Sequence, residues 1–482
     1  MASELRDGAG IHAFYRSGPQ IVGAPPGANA FPVPSNVWSR LKPLLRNIGR
    51  IDRGVSSIAG MRDTPSRGRG DAAGARYHGA MEAVHPVLIV GGGLVGASLA
   101  LALDRAGIAA AMVEAAPPGA MPAVFDQRNL SFADATVNAL TALGVMQRLR
   151  APAGTIRRIH ASRSGDFGRV LLDAADYGRD GFGQVVVARD FGEALEARLA
   201  ELPHLVRHRP ARFLGFGGTA DGVRQVRIVD GDGERVLHAR LVVAADGTGS
   251  QVRDALGIAV DEHDYRQRLF VARLRTRRAP DGIAYERLGD DGPTALLPRG
   301  DGAWGLVHGV AEADADAVAA LDDRAFLDRV QSAFGWRAGR FTEVGERSVY
   351  PATRAVAART TAMRAVLVGN AAQALHPVGA QGFNLGLRDA LTLAELVAEA
   401  DDPGADALLD AYAARRREDR ERTLAFSDGL ARLTANRASL LRPLRSLGLL
   451  AVDRVPSLQS LLAGGAMGYR GDVPALCRAG SA

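Results

Sequence analysis

The chain has 482 residues, of which 47% are hydrophobic and 23% charged, and a formal net charge of +6; this is the composition of a globular protein too long for one ordinary core. Its single cysteine, Cys477, excludes internal disulfides, cysteine-ligated zinc or iron–sulfur centres and paired-cysteine redox chemistry, while its single lysine, Lys42, stands outside any GxxxxGK[ST] setting and so excludes a phosphate-loop NTPase or a lysine Schiff base. Arginines interleave with acids along the whole chain instead of forming a basic stripe with aromatics, so nucleic acid is not an expected partner.

Residues 1–80 are rich in Gly, Pro, Ser and Arg, as in APPGANAFPVPSN and TPSRGRGDAAGAR, and read as a disordered extension, or as an overlong gene start, ahead of Met81. The opening MASELRDGAG places Glu4 and Asp7 where a signal peptide needs a basic and then an apolar segment, and no apolar run reaches spanning length. A cytoplasmic location follows as the expectation. From Pro86, PVLIV predicts a buried strand, GGGLVG a glycine turn, ASLALALDRA a helix that Gly107 can end, and IAAAMVE a second buried strand: together a βαβ unit. Stretches such as RLFVARLRT, GPTALLPRG and AWGLVHGV alternate in polarity between DG and GD turns and predict a mixed or antiparallel sheet. After Pro351 the pattern returns to strand, glycine loop and helix, and residues 404–482 read as mostly helical.

The turn after the first strand is a dinucleotide fingerprint. Gly91, Gly93 and Gly96, with Gly92, Leu94 and Val95 between them, follow a strand and open a helix, and Glu114 ends the next strand. Missing side chains let backbone approach a pyrophosphate, the helix N-terminus supplies partial positive charge, and the carboxylate accepts ribose hydroxyls. FAD and NAD satisfy these residues equally.

Four further stretches carry a resemblance that separates the two. LVVAADGTGSQVR (241–253) delivers Asp246-Gly247; FDQRNLSFADATVNALTALGV (125–145) contains Arg128; FGQVVVARDFGEAL (182–195) contains Gln184 and Arg189; and VGNAAQALHPVGAQGFNLGLRDA (368–390) contains Asn370, His376, Gly379, Gly382, Phe383 and Asn384. Collectively these resemble the class A flavoprotein aromatic hydroxylases over residues 85 to about 470. The usual family pattern GDAAHxxxP followed by GxGxN is altered here, with Asn370 in place of the acid and Gln373 in place of the histidine. An Asn still offers a carbonyl acceptor and adds two donors. With AYERLGDDGPTALLP (284–298) and FGWRAGRF (334–341), these two residues are similar to the ubiquinone-biosynthesis branch.

The resemblance implies an α/β protein with a Rossmann-like FAD-binding domain of the p-hydroxybenzoate hydroxylase-like fold, an inserted mixed-sheet substrate domain and a helical C-terminus. It assigns 81–150, 184–265 and 350–403 to FAD binding, 151–183 and 266–349 to the substrate domain, and 404–482 to the helical region. It implies FAD as cofactor, NAD(P)H as transient reductant and dioxygen as co-substrate, hydroxylating a polyprenyl-methoxyphenol para to its phenol. Implied partners are that prenylated phenol, the inner face of the membrane as a peripheral contact, and other enzymes of ubiquinone biosynthesis. The implied cofactor contacts are Arg128, Gln184, Arg189, Asp246, Asn370 and the Gly379–Asn384 loop. GFGGTADG (215–222) lacks a following helix and is no second fingerprint. The alternatives are a sister or small-aromatic flavin hydroxylase, a nicotinamide dehydrogenase, which would be colourless, and an assembly subunit, which would hold cofactor without oxidising NAD(P)H.

His376, with an ordinary pKa near neutrality, is a candidate to bond or deprotonate the phenol, against the plainer reading that it shapes the Pro377 loop. His204 and His208 would form a metal pair only on a helix, lack the HExxH glutamate, and no metal site is expected. Tyr285 and His308 are candidates for either pocket or core. ARRREDRER (414–422) predicts a solvated face pairing Arg415 with Asp419, Arg417 with Glu421 and Glu418 with Arg422. Leucines alternating with Arg442, Arg445 and Arg454 in 439–462 suggest either domain packing or a basic amphipathic surface.

Overall fold

The computed structural model describes residues 83–120, 126, 128–435 and 442–478; the expected extension 1–80 and residues 439–441 of the leucine–arginine segment lie outside them. β1 (Val84–Val90), α1 (Leu94–Arg105) and β2 (Ala110–Val113) form the expected unit. Val87–Val90 and all of β2 are buried, the signature of parallel strands covered on both faces. Next come β3 (Asn129–Ala133), α2 (Asp134–Ala142), β4 (Gly154–Ile156), β5 (Arg158–Arg163), β6 (Arg169–Asp173), β7 (Gly183–Val187) and α3 (Ala188–Leu199). β8 (Leu205–His208), β9 (Arg212–Ala220), β10 (Val223–Asp230), β11 (Gly233–Ala244) and α4 (Gln251–Ala255) precede the long β12 (Val260–Thr276). The chain continues through β13 (Ile283–Leu288), β14 (Pro293–Pro298), β15 (Trp304–Ala311), α5 (Ala315–Ala319), α6 (Asp323–Phe334), β16 (Phe341–Val344) and β17 (Ser348–Ala357). It ends with β18 (Thr361–Ala362), β19 (Ala365–Leu367), β20 (Gln373–Ala374), α7 (Gly382–Ala398), α8 (Asp406–Ala435), α9 (Arg442–Arg454) and α10 (Pro456–Ala466).

Two large sheets organise these elements. The first has eight strands with the path β18-β19-β11-β1-β2-β8. Its centre is parallel, β11, β1 and β2 lying side by side, so their C-terminal ends and glycine turns share one edge. Residues 215–222 fall in the antiparallel β9–β10 hairpin on its flank. The second sheet has nine strands with the path β20-β17-β12-β15-β14-β13-β5-β6 and β16 beside β12. It is antiparallel except for β13–β5, the pairing that joins residues 158–163 to 283–288. β12 begins at Val260 and β17 runs to Ala357, so this sheet extends past 266–349 on both sides. A third sheet of β3, β7 and β4 lies in the order β3-β7-β4. One core packs α1, α3, α7 and α8 against the first sheet; another buries Phe270, Trp304, Leu306, Phe326 and Phe334 between the second sheet and α6.

His204 precedes β8 and His208 ends it, so no helix face brings them together. Two expectations about the C-terminal helices are corrected here. On α8, Glu418 and Arg422 do pair, at 2.6 Å, but Asp419 does not meet Arg415 in solvent. Instead Asp419 is fully buried between Arg388 and Arg416, and Arg415 turns to Glu395 and Asp472. α8 packs on α7 through Arg416, Asp419 and Thr423, while Arg417, Glu418 and Glu421 keep a solvated face on its other side. On α9 the pattern is inverted: Arg445 is buried beside Asp166, whereas Leu444 and Leu447 are 65% and 54% exposed.

Candidate active site

A cavity of about 790 Å³ lies between the glycine edge of the first sheet and one face of the second. Its nucleotide end is built by the first turn. Gly91 has φ +104, and a Cβ there would stand 2.5 Å from the Ala245 carbonyl oxygen; one on Gly96 would stand 1.9 Å from the Gly91 carbonyl oxygen. The turn therefore closes directly onto backbone, which only glycine permits. Glu114 Oε2 accepts from the Gly92 N–H at 2.6 Å and Oε1 from the Ala116 N–H at 2.7 Å, aiming the carboxylate along the cavity wall.

Asp246 follows the end of β11 on the same wall. Burial pushes its carboxyl above the usual range, opposed by hydrogen bonds from Ser250 and nearby backbone. Its Oδ2 accepts from the Val252 N–H at 3.2 Å, but among the described residues its buried Oδ1 has no partner. A buried carboxylate oxygen without a donor is costly, and a ligand hydroxyl would satisfy it.

Arg128 lines the cavity with its guanidinium 4.3 Å over the Tyr350 ring and its Nε and Nη2 on Asp126. Burial alone would raise the Asp126 carboxyl, yet hydrogen bonds from Arg128 and Tyr350 hold it below the usual range. Asn370 reaches the cavity from a loop anchored below: Asp389 Oδ2 accepts from the Gly369 N–H at 3.4 Å and from Gln373 Nε2 at 2.6 Å. Gln373 Oε1 in turn accepts from Arg420 Nε at 2.7 Å, and Asp389 Oδ1 from Arg416 Nε at 2.8 Å. The amide at position 373 thus links a carboxylate to an arginine, donating to one and accepting from the other.

Gly379, at φ +73, turns the chain into α7, whose first residues Gly382, Phe383 and Asn384 stand on the wall. The Asn384 side chain is spent on backbone: Oδ1 accepts from the Ala133 N–H at 2.9 Å, and Nδ2 donates to the Ser131 and Ala380 carbonyls. It ties α7 to β3 and does not offer its amide to a ligand. Phe383 packs on Phe132 and Phe191.

Gln184, Arg189 and His376 stand elsewhere. Alternation along β7 sends Gln184 to the side of Val186 and the helices, where it lines a separate small cavity with Val137 and Met146. Arg189 is exposed; it meets Asp126 through its backbone N–H only. His376 is buried beside Tyr265, with rings 4.7 Å apart, and its Nδ1 accepts from the Val378 N–H at 3.1 Å. Burial lowers its pKa to about 4, which leaves the ring neutral; among the described residues that line the cavity are Leu375 and Pro377 but not His376, so it shapes the Pro377 loop and does not face a phenol. Tyr285 stacks on Trp304 and Phe334, while His308 pairs with Thr294 inside the second sheet.

The far end of the cavity is a face of the second sheet made by Ala284, Pro293, Ala295, Leu297 and Val307, with one acid, Glu286. Sequence reasoning passed over Glu286 although the alternation of Ala284, Glu286 and Leu288 put an acid in register with buried residues. It also missed Asp389, whose contacts arise from residues 16 to 27 positions away.

The FAD binding domain family model matches residues 85–427. The chain is 36% identical over 396 residues to the ubiquinone hydroxylase UbiL of Rhodospirillum rubrum, covering 81% of this chain and 91% of that protein. It is 28% identical to the 3-demethoxyubiquinol 3-hydroxylase of Escherichia coli, covering 77% of this chain and 96% of its relative. In fold it is similar to p-nitrophenol 4-monooxygenase PnpA from Pseudomonas putida, with a TM-score of 0.66 at 20% identity over 81% of this chain and 99% of that one. With the glycine cradle, the unpaired Asp246 oxygen and the family match in agreement, the chain belongs to the FAD binding domain family, as an FAD-dependent, NAD(P)H-consuming monooxygenase.

Proposed function

We propose that the protein hydroxylates a polyprenyl-methoxyphenol of ubiquinone biosynthesis, para to its phenol. The observation that carries this reading is the continuity of one cavity from the glycine cradle to an apolar sheet face, which lets a cofactor ring and an aromatic substrate meet away from water. FAD, when bound, supplies electron transfer from NAD(P)H and activation of dioxygen. Gly91–Gly96 and Glu114 would hold its pyrophosphate and ribose, Asp246 Oδ1 a hydroxyl, and Asn370 a hydroxyl of the connecting chain. The N-terminus of α7, on the cavity wall, would supply partial positive charge to a ring that gains negative charge on reduction. Ala284, Ala295, Leu297 and Val307 exclude water from the substrate end.

The outward Leu444, Leu447 and Phe167, with exposed Arg454 nearby in sequence, support a peripheral contact with an anionic membrane that holds a prenylated substrate. Among the described residues no helix is long and apolar enough to cross a membrane. Deleting the gene and identifying the quinone precursor that accumulates tests the substrate. A polyprenyl-methoxyphenol is expected; an earlier or later intermediate transfers the assignment to a sister hydroxylase.

A further inference from the structure

Glu286 is the one acid on the substrate end of the cavity. β13 turns Ala284 and Glu286 to the cavity and Tyr285 to the opposite core, where it stacks with Trp304, Phe334 and His160. The ladder partners of Glu286 are Ala295 on β14 and Ala161 on β5, and neither can donate a side-chain hydrogen bond. The nearest basic position on this face of β5 is Arg163, which is engaged by Asp290 and Asp166. The other titratable residues on the cavity wall are Glu114, Arg128, Arg212, Asp246 and Tyr285, the last with its ring packed on the far core. The first and fourth serve the nucleotide end, and Arg128 is held by Asp126. Among the described residues, no protein donor reaches the Glu286 carboxylate. An acid with an apolar ladder on both sides has no packing reason to be there.

We propose that Glu286 is the phenol-recognising base: its carboxylate accepts the hydrogen bond of the substrate hydroxyl and takes that proton as the ring is hydroxylated. This rests on the reading of the protein as a phenol hydroxylase. The phenolic O–H bond breaks with its electron pair left on oxygen, and a new O–H bond forms on Glu286. The negative oxygen enriches the ring carbon para to it, where the electrophilic oxygen is accepted. When that carbon loses its proton to solvent, offsetting the proton consumed in making water, and aromaticity returns, Glu286 gives its own proton back to the phenol oxygen. The carboxylate ends as it began; one atom of dioxygen is in the product, the other in water, and NAD(P)H is oxidised. Burial pushes the Glu286 carboxyl up to about 7, which places its ionisation in the range a base for this step needs.

The test compares FAD-loaded wild type, Glu286→Gln and Glu286→Asp with 2-methoxy-6-farnesylphenol and its methyl ether. In the wild type, kcat/KM should rise with pH through about 7. Glu286→Gln should keep its flavin spectrum, lose this rise and fall about 10²–10⁴-fold in kcat/KM, and Glu286→Asp should restore the pH dependence at reduced rate. Without NAD(P)H and above about pH 7, Glu286→Gln should bind the phenol about 10-fold more weakly than the wild type but the methyl ether no more weakly, because the amide still accepts from the phenol but lacks the charge that strengthens the bond. A Glu286→Gln enzyme with wild-type rate, pH profile and phenol affinity overturns the proposal. A wild type that neither binds nor hydroxylates the phenol overturns the substrate reading and this inference with it, and is told apart by the wild-type data alone.

Discussion

Replacing Asp419 with Asn should unlock the base of the site. Asp419 Oδ2 accepts from Arg388 Nε at 2.6 Å and Arg416 Nη2 at 2.7 Å, and Oδ1 from Arg388 Nη2 at 3.0 Å and the Thr423 hydroxyl at 3.2 Å. All three charged groups are at most 2% exposed. Asp389 still answers Arg416 in the variant, but Arg388 is left with no carboxylate in a dry interior. Breaking one partner of a buried pair costs about 3–5 kcal/mol, or about two to three and a half decades in the folding equilibrium. Spread over roughly 400 folded residues at about 2.1 cal/mol/K each, this lowers the melting temperature by about 4–6 °C. Because Asp389 and Arg416 also hold the loop of Asn370, FAD affinity should fall in parallel. Thermal unfolding with and without added FAD, followed by tryptophan and flavin fluorescence, measures both. Burial alone would raise the Asp419 carboxyl, but Arg388 and Arg416 hold it far below the usual range. Its contribution is therefore complete above a pH of about 4 and fades as the solution is acidified below that, so the difference between variant and wild type should shrink in acid. An Asp419→Asn protein within ~1 kcal/mol of wild type at neutral pH refutes the reasoning, whereas Arg388→Met with Asp419→Leu should be much milder than the single change.

Asp246→Ala removes the unpaired acceptor and should weaken FAD binding about 10–100-fold, the worth of a hydrogen bond to a charged group; unchanged retention on ultrafiltration contradicts the role given to Oδ1. Gly91→Ala drives a methyl group to 2.5 Å from the Ala245 carbonyl oxygen and should yield protein without bound flavin, while Gly107→Ala, also at positive φ but with open space around it, should lose about 1 kcal/mol and stay yellow. Glu286 has a folded pKa raised to about 7, so its ionised form opposes folding above that pH and not below the unfolded value. Glu286→Gln should therefore raise the melting temperature of phenol-free protein at about pH 8 and leave it unchanged at about pH 4; the opposite trend would show the carboxylate to be paired.

The first βαβ unit was legible because its residues obey purely local rules: continuous apolar strands, a turn that only glycine can make and an acid at the end of β2. Residues such as Arg128 and Asn370 were legible through resemblance, which identifies the neighbourhood of a cofactor but not the face of a strand. That is why Gln184, one position from Val185, was misjudged: a register of two decides its side, and no local string records which side carries the cavity. Asp419 was misread for a related reason. Spacing of four on a helix finds partners along the helix, whereas its partner Arg388 lies on α7, brought near by packing. Glu286 was visible as an acid in a buried alternation, but its meaning depends on Ala161 and Ala295, one of them more than a hundred residues away.

β20 begins only three residues after Asn370, and it pairs not with the first sheet but with Ala355 and Val356 of β17 in the second. The same strand β17 runs on to β12 through Val349–Pro351. A designer who transplants the second sheet from a relative to change the aromatic ring that is accepted would therefore cut a hydrogen-bonded seam if the splice were made at the end of 266–349. Grafts that carry β17, β20 and Gln373 as one cassette keep that seam whole, and swaps made without them should lose grip on the cofactor before they gain a new substrate.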